Sequence, residues 1–224
     1  MNVLDLFSGI GGFSLGLERA GFRTVAFCEI DPYCRAVLRK HWSEIPIHDD
    51  IRTLRGNAFG TVDLVCGGFP CQPFSSAARG RNNATDLWPQ MARVIGECRP
   101  RWVIAENVPG LGIDGIDRVA ADLESLAYAV RVFDLDSAPF GRQRERRRIF
   151  FVADANRNRE PRLSINAPMA SVCEISRCGE TDDAGTVGMD DGLPGRVDRL
   201  RALGNAVVPQ IPEMIGRAIM RAES

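Results

Sequence analysis

Short apolar runs alternate with stretches of helix-spaced apolar residues over the first two-thirds of the chain. The runs NVLDLF (2–7), TVAFCEI (24–30), VDLVCGG (62–68), WVIAEN (102–107), AVRVFDL (129–135) and RRIFFVAD (147–154) are rich in β-branched and aromatic residues and predict strands. Between them, SLGLERAG (14–21), DPYCRAVLRKHW (31–42), DLWPQMARVIGEC (86–98) and DRVAADLESLA (117–127) predict helices. Asp31 stands as an N-cap with Pro32 at the first helical position, and Gly21 ends the first helix. Near-continuous apolar strands separated by helices predict an α/β fold: a mainly parallel sheet with helices on both faces. Residues 155–195 are polar, glycine-containing and without period, which predicts a loop or small irregular segment. Beyond Pro209, the positions of Ile211, Met214, Ile215, Ala218 and Ile219 make an apolar helical stripe.

A sheet of this kind binds its ligands outside the C-terminal ends of its strands, so functional residues are expected just after each run. The first run leads into a turn containing Ser8, Gly9, Gly11 and Gly12, whose amides can present N–H groups to a carboxylate or phosphate. Such a turn can also be only a turn. Glu29, about 20 positions on, has the spacing of an acid that holds a ribose diol, and together they point to a nucleoside-bearing cofactor. The third run leads to GGFPCQPFSS, where Cys71 stands between Pro70 and Pro73. An inert core thiol needs no such setting, whereas a nucleophile needs a fixed backbone and an exposed sulfur. Glu106 follows at the same edge. It reads either as a surface carboxylate or, if desolvated in a cleft with Cys71, as a proton donor near neutral pH.

Composition narrows the field. At 224 residues, 45% hydrophobic and 25% charged, the chain suits one sizeable soluble domain. It has no apolar run of the roughly 18 residues a membrane span needs, and no basic leader, so a cytoplasmic location without membrane contact is expected. Seven cysteines (28, 34, 66, 71, 98, 173, 178) without a Cys-x-x-Cys pair speak for reduced thiols, against a disulfide framework, and for no metal site. Net charge is −1, but five arginines fall between Arg142 and Arg148, the footprint of a phosphate-contacting surface on a nearly neutral protein. Nothing resembles a coiled coil, so a monomer is expected.

Six blocks stand in one order: DLFSGIGGFSLGL, FCEID, GGFPCQPFS, ENVPGL, RERRRIFFV and ALGNAVVPQ. As a set they resemble the DNA (cytosine-5) methyltransferases, over about residues 1–154 and 195–222. The resemblance implies a Rossmann-like S-adenosylmethionine-dependent methyltransferase fold and double-stranded DNA as partner. It implies methyl transfer to carbon 5 of a flipped cytosine, with Cys71 as nucleophile, Glu106 as acid, Asn107 placing that acid, and Arg146 and Arg148 contacting the cytosine or its phosphate. The cofactor residues carried over are Phe7, Ser8, Gly9, Gly11 and Gly12 for the methionine part, Glu29 and Ile30 near the ribose, Asp50 and Ile51 near the adenine, Pro70, and Asn205 with Ala206 closing the pocket.

The basic block departs from the family pattern by placing Arg144 where Gln or His is usual, with Gln143 one step early. A second departure is larger. The implied organisation is a catalytic and cofactor-binding part (1–154), a reduced target-recognition segment (155–195) and a C-terminal part returning to the catalytic domain (196–224). About forty residues are little material for base readout, which predicts short or relaxed sequence specificity. The alternatives are a tRNA cytosine-5 methyltransferase, as in one branch of the family, and a degenerate or partner-dependent DNA-binding homologue without turnover.

Overall fold

The computed structural model of the protein describes residues 1–70, 86–137, 140, 146–155 and 196–224. They form a seven-stranded sheet of β1 (Asn2–Leu6), β2 (Arg23–Cys28), β3 (Ile47–His48), β4 (Leu64–Gly68), β5 (Trp102–Asn107), β6 (Ala129–Asp136) and β7 (Arg147–Asp154). The spatial order is β3-β2-β1-β4-β5-β7-β6. Parallel pairing joins β3, β2, β1, β4 and β5, while β7 lies antiparallel between β5 and β6. The helices are α1 (Gly12–Arg19), α2 (Pro32–His41), α3 (Trp88–Cys98), α4 (Gly112–Ser125), α5 (Arg196–Asn205) and α6 (Gln210–Glu223).

Both faces of the sheet are covered, which explains the unbroken apolar strands. Val65, Val103 and Ala105 join Met91, Val94 and Ile95 of α3 and Val119 and Leu123 of α4 in one core. The alternate residues Leu64, Cys66, Trp102 and Ile104 meet Phe13 and Leu17 of α1 and Ile211, Ile215 and Ile219 of α6 on the other side. The period of two along each strand therefore divides one apolar run between two cores.

Local chemistry sets the helix starts. Asp31 caps α2, its carboxylate accepting the N–H groups of Tyr33 (2.8 Å) and Cys34 (3.2 Å), with Pro32 at the first turn. At α1 the N-cap is Gly11 at φ 89°, with the Trp42 ring 2.6 Å from where a Cβ would stand, so glycine is required there twice over. Asp5, next to the C-terminal end of β1, is fully buried and takes over the capping role from within the sheet: its Oδ2 accepts from Ser14 N (3.2 Å) and Ser14 Oγ (2.7 Å).

Three elements differ from the sequence expectation. Helix α4 begins at Gly112, not Asp117, because a 3₁₀ turn over Pro109–Leu111 leads straight into it; Gly115 then lets Leu111 pack 2.7 Å from its would-be Cβ. Strand β3 is only two residues long, pairing Ile47 and His48 with Phe27 and Cys28 of β2. Helix α5 is short and rich in charged residues, with only Val197, Leu200 and Leu203 at helical spacing to mark it.

Candidate active site

The chain winds from β1 outward through β2 and β3, then returns to β4 and winds the other way, which leaves a crevice where β1 and β4 end side by side. A cavity of about 450 Å³ lies there, lined by the ends of β1, β2, β4 and β5 and by α5 with the segment after it. Because β7 runs backwards, its first residues reach this same edge, and Arg148 joins the lining.

Backbone strain shapes one wall. Phe7 (φ 52°) and Gly9 (φ 54°) both sit in the left-handed region, a conformation uncommon for phenylalanine. The turn is held by Ser8, whose N–H donates to Cys28 O (3.2 Å) and whose hydroxyl donates to Asp5 O (2.7 Å). Glu29 is buried, and each of its oxygens accepts one amide: Oε2 from Gly9 N and Oε1 from Asp31 N, both at 2.7 Å. An ionised carboxylate offers about four lone-pair positions, so Glu29 keeps acceptor capacity toward the cavity.

Across the sheet register, Gly68 of β4 is the partner of Glu106 of β5, and a Cβ on Gly68 would stand 2.7 Å from Glu106 Oε2. Burial raises the proton affinity of Glu106, while Arg148 and then Arg146 oppose the rise; Arg148 Nε lies 2.9 Å from Glu106 Oε1. Asn107 is also buried, donating through Nδ2 to Phe69 O (3.0 Å) and accepting the Val108 N–H (2.8 Å), which fixes the turn that leads to Pro70. Cys71 lies just beyond, outside the described residues.

A model of the C-5 cytosine-specific DNA methylase family matches residues 1–178. The chain belongs to that family. It is 34% identical over 165 residues to the type II methyltransferase M2.BsuMI of Bacillus subtilis, covering 68% of this chain and 42% of that one. It is 37% identical over 196 residues to M1.HphI of Haemophilus parahaemolyticus, covering 80% and 51%. It thus spans about half the length of the curated relatives it matches. Among solved structures it resembles a prophage-encoded protein from E. coli described as a DNA modification methyltransferase (TM-score 0.57, 28% identity, 69% of this chain and 46% of that one). The S. pombe Dnmt2 methyltransferase shares the fold (TM-score 0.59, 23% identity, 71% and 50%).

Of the residues carried over from the methylase blocks, Phe7, Ser8, Gly9, Gly12, Glu29, Ile30, Pro70, Glu106, Asn107, Arg148, Asn205 and Ala206 line this cavity. Four lie off it. Gly11 is spent on the α1 cap, and Ile51 is buried in the apolar core. Asp50 pairs with Arg52, whose Nη2 is 2.8 Å away, and its carboxyl is lowered by that partner. Arg146 turns its guanidinium to the Gly204 and Ala206 carbonyls. Asp198 and Ala202 also line the cavity and went unread, because both sit on α5. Among the described residues no group of three or more His, Cys, Asp or Glu is placed to hold a metal ion, and no helix is long and apolar enough to cross a membrane.

Proposed function

We propose that the protein transfers a methyl group from S-adenosylmethionine to carbon 5 of a flipped cytosine in double-stranded DNA. The observation that carries this reading is that one cavity holds both a carboxylate braced by backbone amides, Glu29, and a buried carboxyl of raised proton affinity, Glu106. Its volume falls within the roughly 300–1,000 Å³ of small-molecule sites. Glu29 suits the two ribose hydroxyls, which would donate to its remaining lone pairs. Gly9, with open space where a Cβ would stand, lets the backbone approach the methionine part. When bound, the cofactor supplies an electrophilic methyl group.

Carbon 5 of cytosine is too weak a nucleophile to take that methyl unaided. The Cys71 thiolate adds to carbon 6, forming a C–S bond, while Glu106 gives its proton to ring nitrogen 3; the electron pair moves to carbon 5. Arg148 orients Glu106 by holding Oε1, and Gly68 leaves the space that Oε2 occupies. After carbon 5 is methylated, loss of its proton to a base expels the thiolate and returns the nitrogen proton to Glu106. The short 155–195 segment supports short or relaxed sequence specificity.

Transfer of labelled methyl groups to duplex DNA, with Cys71→Ala alongside, tests the proposal. Label in DNA that disappears in the variant supports it. Cofactor binding with no transfer to DNA, or transfer to tRNA alone, refutes it.

A further inference from the structure

Arg146 belongs to the block whose resemblance implied contact with the flipped base or its phosphate, yet its guanidinium is engaged by backbone carbonyls. Nη1 donates to Gly204 O, and Nη2 donates to Ala206 O at 3.0 Å. These carbonyls belong to the C-terminal end of α5 and the residue after it, where the helix leaves acceptors without intrahelical donors and where its dipole favours a cation. Asn205 lies between them, and Asn205, Ala206 and Val207 line the cavity.

The same segment is pressed from its far side. A Cβ on Gly12 would stand 2.5 Å from Val207 O, and one on Gly16 would stand 2.1 Å from Pro209 O. The segment from Gly204 to Pro209, which includes the cavity wall over 205–207, is therefore fitted between two glycines of α1 and one arginine. Arg146 is itself fixed: its N–H donates to Asp136 Oδ1 (2.9 Å), and its carbonyl accepts the Ser137 N–H (3.2 Å). Two residues further on, Arg148 holds Glu106. One short stretch thus grips the acid with one arginine and the cavity wall with the other.

We infer that Arg146 is a positioning residue for cofactor binding, a latch that holds the Asn205–Val207 wall in place, and not a direct substrate contact. The inference rests on reading the cavity as the S-adenosylmethionine site. A lysine has no planar fork to span two carbonyls and can satisfy only one well.

The test is the Kd for S-adenosylmethionine without DNA, measured by titration calorimetry for the whole protein, Arg146→Ala and Arg146→Lys. Thermal midpoints and circular dichroism show which variants are folded. Loss of two charge-assisted hydrogen bonds to the wall is expected to weaken binding by about tenfold in Arg146→Ala. Arg146→Lys should recover part of that loss. In steady state Arg146→Ala should raise KM for the cofactor more than KM for DNA, which a general loss of stability would not do selectively. An unchanged cofactor Kd in folded Arg146→Lys and Arg146→Ala, with a raised KM for DNA, overturns the inference and restores the substrate contact. Failure of the parent protein to bind the cofactor overturns the cofactor-site reading and the latch with it.

Discussion

Asp5 supplies the most direct test of how the buried frame is balanced. Its carboxyl is fully buried in β1, with Oδ2 accepting twice from Ser14. Burial is the main reason its pKa rises from 3.8 to about 7, with a smaller contribution from the charge on Glu29; the Ser14 and Ser8 hydrogen bonds oppose the rise. The folded protein thus holds this proton more tightly than the unfolded chain does. Asp5 therefore makes stability fall as pH rises from about 4 to about 7, and its effect levels off above that. Single-site linkage with these two pKa values gives a loss of about 1.4 kcal/mol between pH 6 and pH 8. For a chain of 224 residues that amounts to about 3 °C in Tm. A side-chain amide cannot ionise, so Asp5→Asn should remove this part of the pH dependence and leave the rest. The assay is Tm by scanning calorimetry at pH 6, 7 and 8 for both proteins. The expected result is a variant-minus-parent difference that grows by about 3 °C across the range. Parallel curves would show that Asp5 is already ionised in the fold and that the desolvation argument is wrong.

Glu106→Gln should reduce methyl transfer by at least about 100-fold while leaving S-adenosylmethionine affinity within about twofold, because only the proton donor is removed; rate and titration calorimetry together check this. Gly68→Ala places its Cβ 2.7 Å from Glu106 Oε2, a movable side-chain atom, so kcat should fall well before Tm does. Gly16→Ala meets the Pro209 carbonyl at 2.1 Å, a backbone atom that cannot easily yield, and should cost about 1–3 kcal/mol in urea unfolding. With S-adenosylmethionine present, DNA carrying 5-fluorocytosine should accumulate a covalent complex with the parent protein and none with Cys71→Ala, since after methyl transfer fluorine cannot leave carbon 5 as a proton does; denaturing electrophoresis reads the outcome.

The strands β5 and β7 have the bounds their residues predict, 102–107 and 147–154, because burial on both faces makes the apolar run and the strand the same object. The edge rule likewise brought Glu29 and Glu106 to one cavity without knowledge of the strand order. What escaped was decided by tertiary contact. Helix α5 has little apolar face of its own, so Asp198 and Ala202 went unnoticed on the cavity wall. Strand β3 is too short to carry a period. Asp50 has the position of a ligand contact in sequence, and its pairing with the nearby Arg52 is a contact that no spacing announces. Arg146 and Arg148 look alike in a row of arginines, and only the direction of each guanidinium separates them.

The seating of Val207 and Pro209 on Gly12 and Gly16 also bears on the order of folding. Wall and turn come from opposite ends of the described sequence, so their meeting is a contact of very high sequence separation, the kind that closes late. Until α6 arrives, Phe13, Leu17 and Phe150 present an uncovered apolar face, and the cavity lacks one side. A growing chain would therefore carry the Phe7–Gly12 turn out of the ribosome well before the segment that walls the cavity, and that apolar face would be open to aggregation until α6 packs on it.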